Sequence, residues 1–381
     1  MDAAQRSHVE RWLSRRGLPQ LIEGYGSERS IDVRTIRWVL LWAAAQIVVL
    51  CWSAPVSEEL RIASAAAGLG LLGLYVLAYG KLTKTNLWRP MDSLAWYDVV
   101  LTGTVPAIIA GARFGDVTSV IQGFLFHLQG VLIIYAVIGF GVVWILLWSV
   151  GWMTSQVAHL LALAARTLPL ILILVIFLLF SSELWEAAVV ADAFEILAVV
   201  GVAVLIAVGF LGTRVAEDVR ALEATRPDAD QLVGTPAEPA QHAITLPERQ
   251  PPLRGLQRLN VALVLLISQA LQAAFVAATI VLFLIVVGLL LAPAAIQDRW
   301  AGGAVVPVLT FNSMGELRVL SQELIKVAVL LGAFAGTYFA GFALDDERYR
   351  AGAVAGTLAD IRRALAVRAA YVTAQPSAAQ D

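Results

Sequence analysis

Residues 181 to 197 read SSELWEAAVVADAFEIL, four carboxylates between two runs apolar enough to cross a membrane. Asp192 and Glu195 stand three apart, about 60° around a helix, and so share a face. In a helix starting near residue 187 they lie about 8 and 12 Å from its end, inside hydrocarbon depth. An ionisable group at the bilayer centre costs roughly 2.5 to 3.5 kcal/mol, so the pair calls for water, a partner or a proton. Lys326, in ELRVLSQELIKVAVLLGAFAG, reaches the same depth if its helix starts near residue 320, and is the expected cross-helix partner. Glu323, three residues before it, competes for the same ammonium. The chemistry that Asp192, Glu195 and Lys326 suggest is acceptance of a proton or a cationic group; structural ion pairing is the alternative. Ser268, Gln269 and Gln272 form a secondary polar strip, with His127 and Gln129 of FLFHLQG as its extension. Interhelical hydrogen bonds of about 1 kcal/mol each explain such a strip equally well.

No other motif carries chemistry. GLGLLG at Gly68, Gly70 and Gly73 has the letters of a dinucleotide fingerprint, but that pattern binds pyrophosphate only between a strand and a helix. Inside an apolar run the small residues are expected to let helices approach, as are Gly332 and Gly336. No P-loop, G-x-S-x-G or H-E-x-x-H occurs, and His8, His127, His159 and His242 are far apart. With one cysteine, Cys51, no disulfide framework is expected; nor is a metal site, a cofactor or an enzymatic activity.

The elements that position these residues follow from composition. At 59% hydrophobic and 15% charged residues, with mean hydropathy +0.77, the chain is far more apolar than a water-soluble domain. A net charge of -2 without a basic patch excludes nucleic acid as an expected partner. A spanning helix needs about 20 apolar residues to cross about 30 Å. Eight segments qualify: 37 to 54, 60 to 80, 96 to 113, 119 to 150, 167 to 183, 187 to 212, 258 to 292 and 320 to 344. The expected fold is an all-α polytopic transmembrane bundle of about eight spans, because only helices satisfy the backbone in lipid over runs this long.

Arginine sets the orientation. The first 36 residues, the loop after the second span, the stretch 213 to 257 and the tail hold most of the basic residues; the opposite loops hold only Arg61, Arg113, Arg299 and Arg318. Both termini are therefore expected in the cytoplasm, and Trp42 and Trp185 among the interfacial aromatics. The chain then divides into a cytoplasmic or interfacial segment (1 to 36), a six-span bundle (37 to 212), a disordered linker rich in Pro, Ala, Gln and charge (213 to 257), two long spans (258 to 344) and an amphipathic tail (345 to 381). The first segment lacks an apolar core and cleavage site, so no leader is expected. Few lysines and abundant Ala and Val suggest a high-GC bacterial gene, hence the bacterial plasma membrane.

RRGLPQLIEGYG before the first span and RTLPLILILVIFLLFSSELWE at the fifth resemble a group of uncharacterised multi-pass actinobacterial membrane proteins, over residues 15 to 25 and 165 to 186. That resemblance implies no activity and no site residues. The residues themselves favour a transporter or channel-like protein with a buried carboxylate site for protons or a cationic solute. The alternative is a non-catalytic scaffold or sensor whose linker and tail recruit a cytoplasmic protein. Expected partners are the lipid bilayer and, through the glycine faces, a second copy of the chain.

Overall fold

The computed structural model describes residues 1–25, 28–52, 56–82, 96–167, 169–240, 246–313, 315–342 and 354–374. In chain order the helices are α1 (Ala3–Arg15), α2 (Glu28–Trp52), α3 (Glu58–Leu82), α4 (Trp96–Phe114), α5 (Val117–Phe140), α6 (Val142–Thr167), α7 (Pro169–Leu179), α8 (Ser182–Val190), α9 (Ala193–Ala224), α10 (Gly255–Leu291), α11 (Ala294–Trp300), α12 (Gln322–Phe342) and α13 (Ala355–Thr373). One antiparallel hairpin, β1 (Pro307–Ser313) and β2 (Glu316–Ser321), interrupts this all-α arrangement. Among the described residues five helices, α2, α5, α9, α10 and α12, are long and apolar enough to cross a membrane; α7 and α8, bent by 66°, make a sixth if taken as one span. Helices α3 and α4 cover the second and third expected spans without being among the five.

Breaks in the chain, more than the apolar runs, shape the fold. The run expected as one span from 119 to 150 is two helices, because Gly141 takes a left-handed φ of 68° and closes α5, its N–H returning to the Ile138 carbonyl. A side chain there would also strike the ring of Pro19, so only glycine fits. The fifth expected span breaks at Phe180 and Ser181. Trp185, read from sequence as an interfacial anchor, is instead fully buried and donates its indole N–H to the Leu179 carbonyl that the break frees (2.8 Å).

The chain forms two compact units, Gly17–Trp144 and Met1–Arg16 with Ile145–Asp381. In the first, α4 and α5 form a tight hairpin against which α2 packs, with α3 against α2. Gly123 on α5 lies so close to Ala107 and Ala110 that an added Cβ would come within 3.1 Å of the Ala110 methyl. In the second, α9, α10 and α12 pack on one another around Val276, Ile280, Leu284, Leu324, Val327 and Phe339. Gly332 and Gly336 on α12 lie against Val281, Ala277 and Ala273 of α10, where a Cβ at Gly336 would come within 2.9 Å of the Ala277 methyl. Small residues thus bring these two backbones together.

The stretch expected to be a disordered linker is largely structured. Helix α9 runs on to Ala224, and the residues after it are a series of turns. Asp228 receives the Asp230 N–H, Gly234 at φ 72° donates to Glu238, and the Thr235 hydroxyl bridges the Leu232 carbonyl and the Ala237 N–H. Proline, glycine and aspartate here encode turns. Of the expected amphipathic tail, residues 355 to 373 form α13, buried on several sides between α1 and these turns. Arg363 donates to the Val233 carbonyl, Arg16 pairs with Asp360 (3.0 Å), and the Tyr371 hydroxyl donates to Glu10 (2.9 Å). Burial, then the Glu10 carboxylate, pushes the Tyr371 phenol above its ordinary range.

Candidate functional site

At the centre of the apolar helix α5 stands His127, which is wholly buried. Its Nδ1 lies 2.7 Å from Gln46 Oε1 on α2, and its Nε2 lies 3.2 Å from Thr102 Oγ1 on α4. Thr102 Oγ1 is also 2.7 Å from the Asp98 carbonyl one turn back. Glycine makes room for the ring: a Cβ at Gly103 would come within 2.7 Å of His127 Cδ2. Gln46, Thr102 and Asp98 are themselves buried.

This geometry couples two protonation states through one hydroxyl hydrogen. A carbonyl oxygen only accepts, so Gln46 Oε1 requires a hydrogen on Nδ1. When Thr102 donates to Asp98, Nε2 must donate to Thr102, and the ring is an imidazolium. When the hydroxyl turns toward Nε2, the ring is neutral. A flip of the Gln46 amide reverses the polarity of the whole chain. Three helices thus hold an imidazole whose neutral and charged forms both fit the same heavy-atom positions.

The residues first expected to carry the site have different partners. Asp192 is the N-cap of α9, with extended backbone, and forms a reciprocal capping box with Glu195: Asp192 Oδ1 accepts the Glu195 N–H (2.8 Å) and Glu195 Oε2 accepts the Asp192 N–H (3.0 Å). Both are exposed at the helix start, which lies six residues later than the start expected from hydropathy. Lys326 does not make the cross-helix ion pair expected with them. Its ammonium donates to the carbonyls of Ala188 and Ala191 (2.8 Å each), closing the C-terminus of α8. Glu323, the competing partner, accepts the Val306 N–H instead. Carbonyls left by a helix end outcompete the carboxylates, which are already engaged in their own cap.

Lys326 is not alone among the described residues in being placed in this way. Arg113 donates to the Leu50 carbonyl near the end of α2, and Arg318 to the Leu289 and Leu290 carbonyls at the end of α10. Cations at helix C-termini meet both the free carbonyls and the negative end of the macrodipole. Lys326→Met is expected to cost about 2 to 3 kcal/mol by leaving two carbonyls without a donor. It should lower the melting temperature in detergent and speed hydrogen exchange at residues 188 to 191, with Lys326→Arg restoring much of both. Unchanged exchange there would deny Lys326 this role.

The secondary positions divide. On α10, Ser268, Gln269 and Gln272 are buried, the Ser268 hydroxyl donating to the Leu265 carbonyl. Among the described residues the Gln269 amide nitrogen meets no acceptor. Gln129 is exposed, so it does not extend the strip toward His127. A Cβ at Gly68 would press on Ile47 and Ile109, whereas Gly70 and Gly73 face open space. Sequence reasoning missed Gln46, Thr102 and Asp98. The available signal was a lone glutamine in AAAQIVVL and an aspartate with a threonine four residues on in WYDVVLTG. Among the described residues no group of three or more His, Cys, Asp or Glu side chains is placed to hold a metal ion. No protein-family model, curated protein or solved structure matches the chain.

Proposed function

We propose that this is an eight-span integral protein of the bacterial plasma membrane, with both termini cytoplasmic, that moves protons, alone or with a cationic solute. The observation that carries this reading is His127, a titratable ring buried in an apolar helix and held through both nitrogens by side chains of two neighbouring helices. Ionisable groups inside membrane spans are functional by default, and histidine is the one whose ordinary pKa lies near neutral pH. In this reading water on the Thr102 side delivers a proton to Nε2, and water takes one from Nδ1 when the Gln46 amide swings clear. The ring then returns by tautomer exchange and a flip of the Gln46 amide. Asp192 and Glu195, each with one carboxylate oxygen outside the capping box, serve as acceptors on the outer surface.

Proton flux into liposomes carrying the purified protein and a trapped pH indicator tests it. Wild type should exceed empty vesicles, and His127→Gln should fall to their rate while remaining folded, since glutamine keeps hydrogen bonds but carries no proton. Asp192→Asn with Glu195→Gln should slow flux only severalfold. Full flux in His127→Gln would sink the reading. No flux in wild type would favour the second one, a scaffold or sensor. The observation behind that alternative is an open polar groove of about 820 Å³ lined by Asp2, Gln5, His8, Arg11, Thr235 and Glu238.

A further inference from the structure

A cleft of about 500 Å³ opens between α9, α10 and α12. Val204 and Ala207 line it from α9, Ala274 and Ala278 from α10, and Ala333 and Thr337 from α12. Its origin is a row of alanines: Ala270, Ala274 and Ala278, four apart, lie one above another along α10. Among the described residues Thr337 is the only polar side chain in the lining, and its hydroxyl lies 3.0 Å from the Ala203 and Ala333 carbonyls, so its single hydrogen is already engaged. An occupant of this cleft therefore needs no polar atom.

The walls that α9, α10 and α12 form are helices long and apolar enough to cross a membrane, and Leu146 of α6 adds one more apolar side chain, so the medium that reaches the cleft is hydrocarbon. Water would find too few partners to stay. From Ile267 to Val281 the lining extends about 21 Å along α10, somewhat more than the roughly 15 Å of one leaflet's hydrocarbon. An apolar cavity of about 150 Å³ accepts one benzene, which scales the present volume to roughly 15 to 20 carbons, the content of a single lipid tail.

We propose that the cleft between α9, α10 and α12 holds one hydrocarbon chain of a membrane lipid as a resident ligand, distinct from the exchanging lipid around the protein. It stands independently of the proton reading, since no residue of the His127 cluster lines it.

Native mass spectrometry of the protein through increasingly delipidating detergent tests this, with Ala274→Phe and Ala278→Phe combined to fill the cleft from its exposed rim. Wild type should retain about one lipid per chain after the rest is stripped. The double variant should lose at least tenfold of that occupancy, while Leu205→Ala, on an open face of α9, should not. Because the filled variant has the added risk of misfolding, a second measurement uses the unaltered protein. A lipid with a photoreactive group in its tail should label peptides containing Ala274 in preference to those containing Leu205. Equal retention in the filled variant, even labelling of both faces, or a wild-type dimer that the filling variant alone disrupts would overturn the proposal. The last result would make the cleft the seat of a second copy; a free prenyl compound recovered in place of a two-tailed lipid would overturn the lipid source.

Discussion

Arg368→Met should loosen the end of the second unit at which α13 meets α1 and the turns after α9. Arg368 is only 5% exposed, and its guanidinium is held by oxygen acceptors from two other segments. It donates to the carbonyls of Pro251 (2.7 Å) and Pro252 (3.1 Å) and to Gln257 Oε1 (3.0 Å). The same Gln257 oxygen accepts the Arg254 N–H that begins α10. One planar fork thus ties a proline stretch and a helix start to α13, which a more compact ammonium reproduces only in part. Losing three charge-assisted bonds in a buried setting is expected to cost about 3 to 5 kcal/mol. Hydrogen exchange at residues 246 to 254 and along α13 should rise together, and Arg368→Lys should fall between the two. Arg362, exposed on the same helix, is the control; its replacement by methionine should stay within about 0.5 kcal/mol. If both substitutions behave alike, the turns and α13 do not form the cooperative cap their hydrogen bonds describe.

What hydropathy made legible was the course of the long apolar helices. The second, third, seventh and eighth expected segments coincide with α3, α4, α10 and α12 to within a few residues, while α2 begins nine residues before the first. Averaging over about twenty residues is blind to a single glycine, so the division of α5 from α6 at Gly141 was lost. The same averaging ran a helix through Asp192, although D-x-x-E ahead of an apolar run is a cap signature. The turns from 225 to 240 and 246 to 254 were misread for another reason: proline, aspartate, threonine and glycine mark both disorder and turn-rich structure. Only long-range partners such as Arg363 and Arg368 distinguish the two cases. The hairpin of VVPVLTFNS with ELRVLS falls almost wholly between the seventh and eighth expected segments, where no element was expected.

The candidate site was legible residue by residue and not as an arrangement. His127 stood out as a histidine within an apolar run. Its partners lie 81 and 25 residues away, at separations where one sequence carries no register between helices. Depth matching placed Lys326 level with Asp192, and the ammonium does reach the α8–α9 junction. What depth omits is the competition there between carboxylates and bare helix-end carbonyls.

Gly130→Ala tests that register directly, because its sign opposes helix propensity. In a helix interior, replacing glycine by alanine ordinarily stabilises by about 1 kcal/mol. At Gly73, where a Cβ meets nothing within 4 Å, that gain should appear. Gly130 lies on α5 three residues past His127, against the indole of Trp42, which is itself one turn before Gln46 on α2. Trp42, expected from sequence at the interface, fills this contact and lies 5.4 Å from the Phe126 ring. A Cβ at Gly130 would come within 2.7 Å of Trp42 Cζ2 and closer still to the pyrrole side of the ring. Overpacking of this kind costs about 1 to 3 kcal/mol or more, enough to reverse the propensity gain. The rigid indole can relieve it only by carrying α2 outward, which draws Gln46 away from His127. Gly130→Ala should therefore lower the melting temperature and lower proton flux together, and Trp42→Ala in the same chain should relieve the clash through a coupling energy that a double-mutant cycle measures. If Gly130→Ala stabilised the protein as Gly73→Ala does, α2 and α5 would not meet in this register, and the hydrogen bond from Gln46 to His127 would fall with it.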